Sequence, residues 1–137
     1  MKIGFTCSTF DLFHAGHVMM LKEAKTQCDY LIVGLQSDPT IDRSEKNKPI
    51  QTLFERYVQL YACKYVDEII PYSTEKELMD ILLSYPIDVR IIGEEYKDQH
   101  FTGRELDMEI YYNSRKHSFS SSGLRKRVQE SENKKNV

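Results

Sequence analysis

The sequence predicts an α/β fold, a single domain built on one parallel, doubly wound sheet. Three observations predict it. Short apolar runs of strand length alternate with segments of helical period along the chain, an order that right-handed βαβ crossovers convert into a parallel sheet. Residues 30–35, YLIVGL, are nearly continuously apolar, as a strand covered on both faces must be. A length of 137 residues with 40% hydrophobic and 29% charged side chains suits one globular unit with a real core.

The elements follow in order. Residues 2–6 alternate as a short buried strand that ends in the loop Ser8, Thr9, Phe10, Asp11. From His17 the apolar positions Val18, Leu21, Ala24 and Cys28 fall close to a 3.6-residue period and predict an amphipathic helix. The second strand, 30–35, leads into a polar stretch with two prolines, 36–51, expected as a long loop. Thr52 and Glu55 have capping-box spacing and open a helix to about Cys63. A strand over 68–71 precedes a second such pair, Thr74 and Glu77, ahead of Leu78, Ile81, Leu82 and Tyr85. Strands over 89–92, bounded by Gly93, and over 109–112 come next, then a helix over about 121–130. The domain is expected to span 1–130, and 131–137 to form a flexible polar tail. In such sheets ligands bind outside the carboxyl ends of the strands, so the loops starting at Cys7, Gln36, Gly93 and Asn113 are where chemistry is sought.

Composition narrows the function classes. Lys and Arg total 19 against 21 Asp and Glu, a net charge of −2, which provides no broad cationic surface for nucleic acid or anionic lipid. The longest apolar run is far short of a membrane span, and the amino terminus enters a strand pattern at once instead of a signal peptide, so a cytoplasmic protein is expected. Cys7, Cys28 and Cys63 are an odd set without C-x-x-C spacing, read as reduced, packed thiols.

The most informative segment runs from Ser8 to His17. It sets His14 and His17 three residues apart at a helix start with Gly16 between them, where a backbone and a ligand can approach closely. Unpaired N–H groups and the macrodipole favour an anion there, and two imidazoles could donate to phosphate oxygens as charge grows on them. Capping or core histidines and a metal site are the alternatives, although no carboxylate or third histidine lies at helical spacing to complete a metal site. Ser120, Ser121 and Ser122, ahead of a helix beginning at Gly123, can present hydroxyl and N–H donors to phosphates or act simply as a cap.

Thr9-Phe10-Asp11 followed by His14-Ala15-Gly16-His17 resembles the mark of the nucleotidylyltransferase superfamily, H-x-G-H after T-F-D. Within it the chain is most similar to the small bacterial cytidylyltransferases typified by glycerol-3-phosphate cytidylyltransferase. The blocks DYLIV at 29–33 and YVDEIIP at 65–71 also match, and the resemblance covers residues 2 to about 126. The second signature, R-T-E-G-I-S-T-T, is present in outline from Arg115 to Ser122, with the three residues after the arginine changed.

The resemblance implies a Rossmann-like fold and transfer of CMP from CTP to a phosphorylated acceptor with release of pyrophosphate. It implies catalytic roles for His14, His17, Lys46 and Arg115. Nucleotide-binding roles fall to Thr9, Phe10, Asp11, Gly16, Gly93, Glu95 and Ser120 to Ser122. Acceptor contacts are expected from Lys48, Arg56 and Lys64. Glu95 stands where the family has an aspartate that accepts from the cytosine amine. Mg²⁺ is expected on the nucleotide phosphates and not on a protein metal site, with Asp11 able to help place it or simply to form the turn. A homodimer is implied, and Tyr57, Tyr61 and Tyr65, recurring every four residues, could be its face or core. The acceptor implied is glycerol 3-phosphate or another phospho-compound, such as a phosphonate or phosphorylated amino acid (phosphoglutamine), used for cell-surface polymers. An adenylyltransferase of flavin or phosphopantetheine type, a noncatalytic nucleotide-binding module and a transition-metal binder on the two histidines remain alternatives.

Overall fold

A computed structural model of the chain describes residues 1–136 except 115 and 116. Five parallel strands, β1 Ile3–Ser8, β2 Tyr30–Gln36, β3 Glu68–Tyr72, β4 Val89–Gly93 and β5 Glu109–Asn113, form one sheet in the order β3-β2-β1-β4-β5. Helices α1 Ala15–Lys25, α2 Leu53–Tyr61, α3 Glu75–Ser84 and α4 Ser121–Lys135 alternate with them as expected. The order reverses between β1 and β4, and this switch point opens a crevice at the carboxyl ends of those two strands.

Side-chain alternation divides the core into two layers. Leu31, Val33, Leu35, Val89 and Ile91 face one way and bury Leu21 and Ala24 of α1 and Leu60 of α2. Phe5, Ile32 and Tyr72 face the other way and bury Leu78, Ile81 and Leu82 of α3. At the amino end of the sheet three aspartates that precede strands stitch neighbours together. Asp29 accepts from Lys2 N at 2.7 Å, Asp88 from Ile3 N at 2.8 Å and Asp67 from Leu31 N at 2.8 Å. These carboxylates occupy N–H groups that lie just outside the ladder, as buried or edge donors require.

Several boundaries differ from expectation for physical reasons. Helix α1 begins at Ala15 because His14, in extended conformation, is its N-cap. Thr52 and Glu55 do form the reciprocal capping box that starts α2. Thr74 caps α3, while Glu77 reaches Ser73 N at 3.4 Å. Helix α4 continues to Lys135, past the expected end near residue 130, with a Lys135 to Glu132 pair and two lysines in its last turn that suit the negative end of the dipole. The segment expected as a tail is therefore exposed but helical through Lys135.

Candidate active site

The loop from β1 to α1 is held in a conformation that its sequence alone disfavours. Phe10 and Leu12 adopt left-handed backbone angles, φ 49° and 53°, which are rare for residues with bulky side chains. Contacts from residues 50 to 56 hold them there. The carboxylate of Asp11, 5% exposed, accepts from Ile50 N at 2.9 Å and Gln51 N at 3.0 Å. Gln51 Oε1 in turn accepts from Leu12 N at 2.8 Å. The Phe10 ring is fully buried and lies 5.4 Å from the His17 ring.

Two residues after this knot the histidines close the helix start. His14 Nδ1 accepts from Gly16 N at 3.0 Å, and His17 Nδ1 accepts from His14 N at 3.1 Å. A nitrogen that accepts carries a lone pair, so each neutral ring bears its proton on Nε2 and presents that N–H as a donor. The rings stack with centroids 3.9 Å apart. Burial, and secondly the nearby His117 side chain, hold the His14 pKa below its ordinary value of 6.5 and favour the neutral donor. His14 Nε2 lies 3.2 Å from Ser121 Oγ, and that hydroxyl donates to the Asp11 carbonyl at 3.2 Å. The start of α1 and the start of α4 are thereby joined.

Beside this pair lies a cleft of about 650 Å³ at the carboxyl end of the sheet. Its walls come from β1 (Thr6, Cys7, Ser8), the end of β4 with the following 3₁₀ turn (Gly93, Glu95, Tyr96), Ser121 and Arg125 of α4, and the loop bearing Arg43, Lys46 and Lys48. Lys46 and Lys48 are exposed and reach the mouth. The Glu95 carboxylate folds back over Gly93, so close that a Cβ on Gly93 would lie 2.5 Å from its oxygens and would push that side chain aside.

The serines divide their work. Ser120 is the N-cap of α4, accepting from Gly123 N at 3.0 Å, and Ser122 Oγ accepts from Arg125 at 3.1 Å. Ser121 lines the cleft. The expected role of Arg115 falls outside the described residues.

Two expected acceptor contacts are corrected. Arg56 is 2% exposed, and its guanidinium donates to the carbonyls of Gln51 (3.2 Å), Thr9 (2.9 Å), Gln36 (2.6 Å) and Ser37 (2.6 Å). It ties the carboxyl ends of β1 and β2 to α2 and takes no part in the cleft wall. Lys64 precedes β3, at the amino end of the sheet and so opposite the mouth, where its ammonium lies 5.3 Å from the Tyr65 ring centroid. Asp11 lines the cleft and also clamps two loops through its carboxylate, with Arg125 3.9 Å from it. Cleft residues not anticipated from sequence include Arg125, Tyr72 and Arg90, while Asn113, at an expected loop start, lines the cleft with a buried Oδ1 that lacks a hydrogen bond.

Residues 5–127 match the cytidylyltransferase-like family. The chain belongs to that family. Among curated relatives of this cytidylyltransferase-like chain are the ethanolamine-phosphate cytidylyltransferase of Dictyostelium discoideum, 38% identical over 114 residues (80% of this chain, 30% of the relative), and the bifunctional protein HldE of Campylobacter jejuni, 32% identical over 130 residues (94% of this chain, 28% of the relative). The chain spans less than a third of the length of these relatives. Among solved structures, the lipopolysaccharide core biosynthesis protein of Thermoplasma volcanium superposes with a TM-score of 0.61 at 21% identity, covering 95% of this chain and 88% of that one. The pantoate-beta-alanine ligase of Francisella tularensis superposes at 0.53 and 18%, covering 90% and 65%. At those identities the likeness is one of fold, a Rossmann-like sheet.

Proposed function

We propose that the protein transfers CMP from CTP to the phosphate of a small phosphorylated acceptor and releases pyrophosphate. An acceptor phosphate oxygen forms the new bond to the α-phosphorus as the bond to the bridging β-phosphate oxygen breaks, with no covalent enzyme intermediate. Such a reaction depends on positioning and on neutralising charge. The observation that carries the reading is the pair of Nδ1-locked histidines at the α1 start, which directs both Nε2 atoms away from the helix backbone at a positive helix terminus beside the cleft, with His14 Nε2 on Ser121 Oγ at the start of α4. Lys46, Lys48 and Arg125 add positive charge around the mouth, and Ser121 supplies a hydroxyl at the entrance to α4. Arg115 is proposed to act on the same phosphates, from the family pattern.

Mg²⁺ is proposed to arrive with the triphosphate and to neutralise its charge. Among the described residues no three His, Cys, Asp or Glu side chains gather as a metal site, and both Asp11 oxygens are engaged by amides, so the phosphates themselves suit that ion as ligands. Glu95 at the Gly93 turn is proposed to accept from the cytosine amine. A homodimer through α2 is proposed from the exposed Phe54, Val58 and Tyr61 and the stacked Tyr57 and Tyr61 rings; Tyr65 packs against the core instead. Among the described residues no helix is long and apolar enough to cross a membrane.

Pyrophosphate release measured with CTP, ATP, GTP and UTP across a panel of phosphorylated alcohols and amino acids tests the proposal. CTP is expected to be the fastest nucleotide with every acceptor that reacts. Faster release with ATP throughout would transfer the reading to the adenylyl branch, and no release with any pair would remove it.

A further inference from the structure

The part of the cleft that faces α3 is chemically distinct from the part beside the histidines. Arg90 pairs with Phe5 across β1 and β4, so its side chain leaves the sheet on the α3 face, away from α1. It is 5% exposed and lines the cleft. Its guanidinium donates to the Thr102 carbonyl and stacks 4.9 Å from the Phe101 ring centroid, but among the described residues no carboxylate lies within ion-pair distance of it. The nearby acid, Glu75, is bound by Arg43 and by Thr102 Oγ1 at 2.8 Å. Asp42, whose carboxylate accepts from Glu75 N at 2.6 Å, is the second acid at this end of α3, so Arg43, Glu75 and Asp42 are tied to one another and Arg90 stands apart from them.

A buried guanidinium is retained at a cavity wall only when something offsets its lost hydration. The neutral partners around it do so in part. Tyr72, whose pKa burial pushes well above the ordinary phenol range, is a neutral donor in the same wall, and desolvation keeps the neighbouring Cys7 a neutral thiol. The wall around Arg90 is therefore rich in donors, and the guanidinium would oppose a cationic group placed against it.

We propose that Arg90 is a specificity-determining residue that binds a second anionic group on the acceptor, such as a carboxylate, at the end remote from the reacting phosphate. The inference rests on the transfer reading above for what the cleft holds, and it names the class of acceptor. The histidine and serine donors lie at the α1 and α4 starts, and α1 packs on the face of the sheet opposite to Arg90, so this guanidinium is assigned to the second substrate. A planar fork suits a carboxylate better than a point charge does. An acceptor that carries an ammonium at that position places two cations face to face.

Matched pairs test this. O-Phosphoserine differs from O-phosphoethanolamine by one carboxylate, and 3-phosphoglycerate contrasts with glycerol 3-phosphate in the same way. Binding of each is measured by calorimetry without nucleotide, and kcat/KM for pyrophosphate release with CTP and Mg²⁺, in the wild-type protein and in Arg90→Gln. The carboxylate member of a pair is expected to bind at least about 10-fold tighter in the wild type, with the preference falling below about 3-fold in Arg90→Gln and partly kept in Arg90→Lys. The wild-type comparison stands whether or not either variant folds. Equal binding within both pairs, no binding of either carboxylate member, or a preference that survives in folded Arg90→Gln would overturn the proposal. The stated binding preference without pyrophosphate release leaves the anion site in place and removes the transfer reading. Release at equal kcat/KM within each pair does the reverse.

Discussion

Replacing Arg56 separates a structural arginine from a substrate-binding one. Its guanidinium serves four carbonyls, and the bond to Gln36 O is buried from water. Arg56→Met retains most of the stem and removes every donor. Hydrogen bonds from a charged group contribute about 1.5–3 kcal/mol each, and a stranded buried carbonyl costs about 1–3 kcal/mol. The carbonyls of Gln51 and Ser37 lie in loops where water can replace the lost donor, and the desolvation of the guanidinium is no longer incurred, which offsets part of the loss. A net destabilisation of about 3–5 kcal/mol is expected. With an unfolding entropy near 2.1 cal/mol/K per residue, 137 residues give about 0.29 kcal/mol/K, so Tm should fall by about 10–17 °C. Urea denaturation and thermal melting read both quantities. Arg56→Lys, with one compact ammonium in place of a fork, should recover less than about half of the loss and keep the acceptor KM within about threefold. A loss under about 1 kcal/mol in Arg56→Met at unchanged m value, or a tenfold rise in acceptor KM in Arg56→Lys, would refute the structural role.

The histidines should affect rate more than binding. His14→Asn keeps a capping oxygen near the place of Nδ1 and removes the Nε2 donor, so kcat should fall about 10²-fold with nucleotide affinity changed by less than about threefold; His17→Ala should behave similarly, and near wild-type turnover in either removes the assignment. Protonating His14 puts a hydrogen on Nδ1 against the Gly16 N–H, so kcat should hold through neutrality and fall as pH drops through a midpoint below 6.5; a midpoint above 6.5 contradicts the lowered pKa. Between that lowered pKa and 6.5 the unfolded chain binds more protons than the folded one, so the contribution of His14 to stability is complete above 6.5 and declines on acidification, and urea midpoints across pH 5 to 7.5 should show a smaller decline in His14→Asn than in wild type. Asp11→Asn sets an amide NH₂ against one of the two backbone N–H groups the carboxylate accepts from, and should cost about 1–3 kcal/mol and raise hydrogen exchange at Ile50 and Gln51; unchanged exchange there would show that the clamp is dispensable.

The sheet and its helices were legible because periodicity reports burial, and a parallel sheet buries both faces of its strands. Residues 30–35 and the Leu78, Ile81, Leu82 stripe are the plainest cases. The start of α1 was less legible, since histidine is not among the usual N-caps and its capping depends on a tautomer. Arg56 is expected as a ligand from the family resemblance, which carries over a position and not its partners. A signal was present nonetheless: Leu53, Arg56 and Leu60 share one stripe of α2, which places the arginine on the buried face. Arg90 carried a similar signal, a charged residue inside a strand whose neighbours Val89 and Ile91 are core. Lys64 was misplaced for a topological reason, because a residue that precedes a parallel strand stands at the end of the sheet opposite the ligands.

The placement of the site follows from an exchange of strain for polar bonding. Two left-handed residues, Phe10 and Leu12, each cost on the order of 1–3 kcal/mol. Every residue from Thr9 to Leu12 is held from outside the loop or by the core: the Thr9 carbonyl by Arg56, the Phe10 ring by its burial, the Asp11 carboxylate by two amides and the Leu12 amide by Gln51. Those ties end on residues 50 to 56, directly after the loop that carries Lys46 and Lys48. The strained turn delivers His14 to the helix start, and the same ties fix the root of the lysine loop, so the two halves of the proposed phosphate site are set by one buried network before any ligand binds. Preorganisation of this kind is what charge stabilisation in phosphoryl-type transfer requires, since donors already in position need not reorganise as the charge develops.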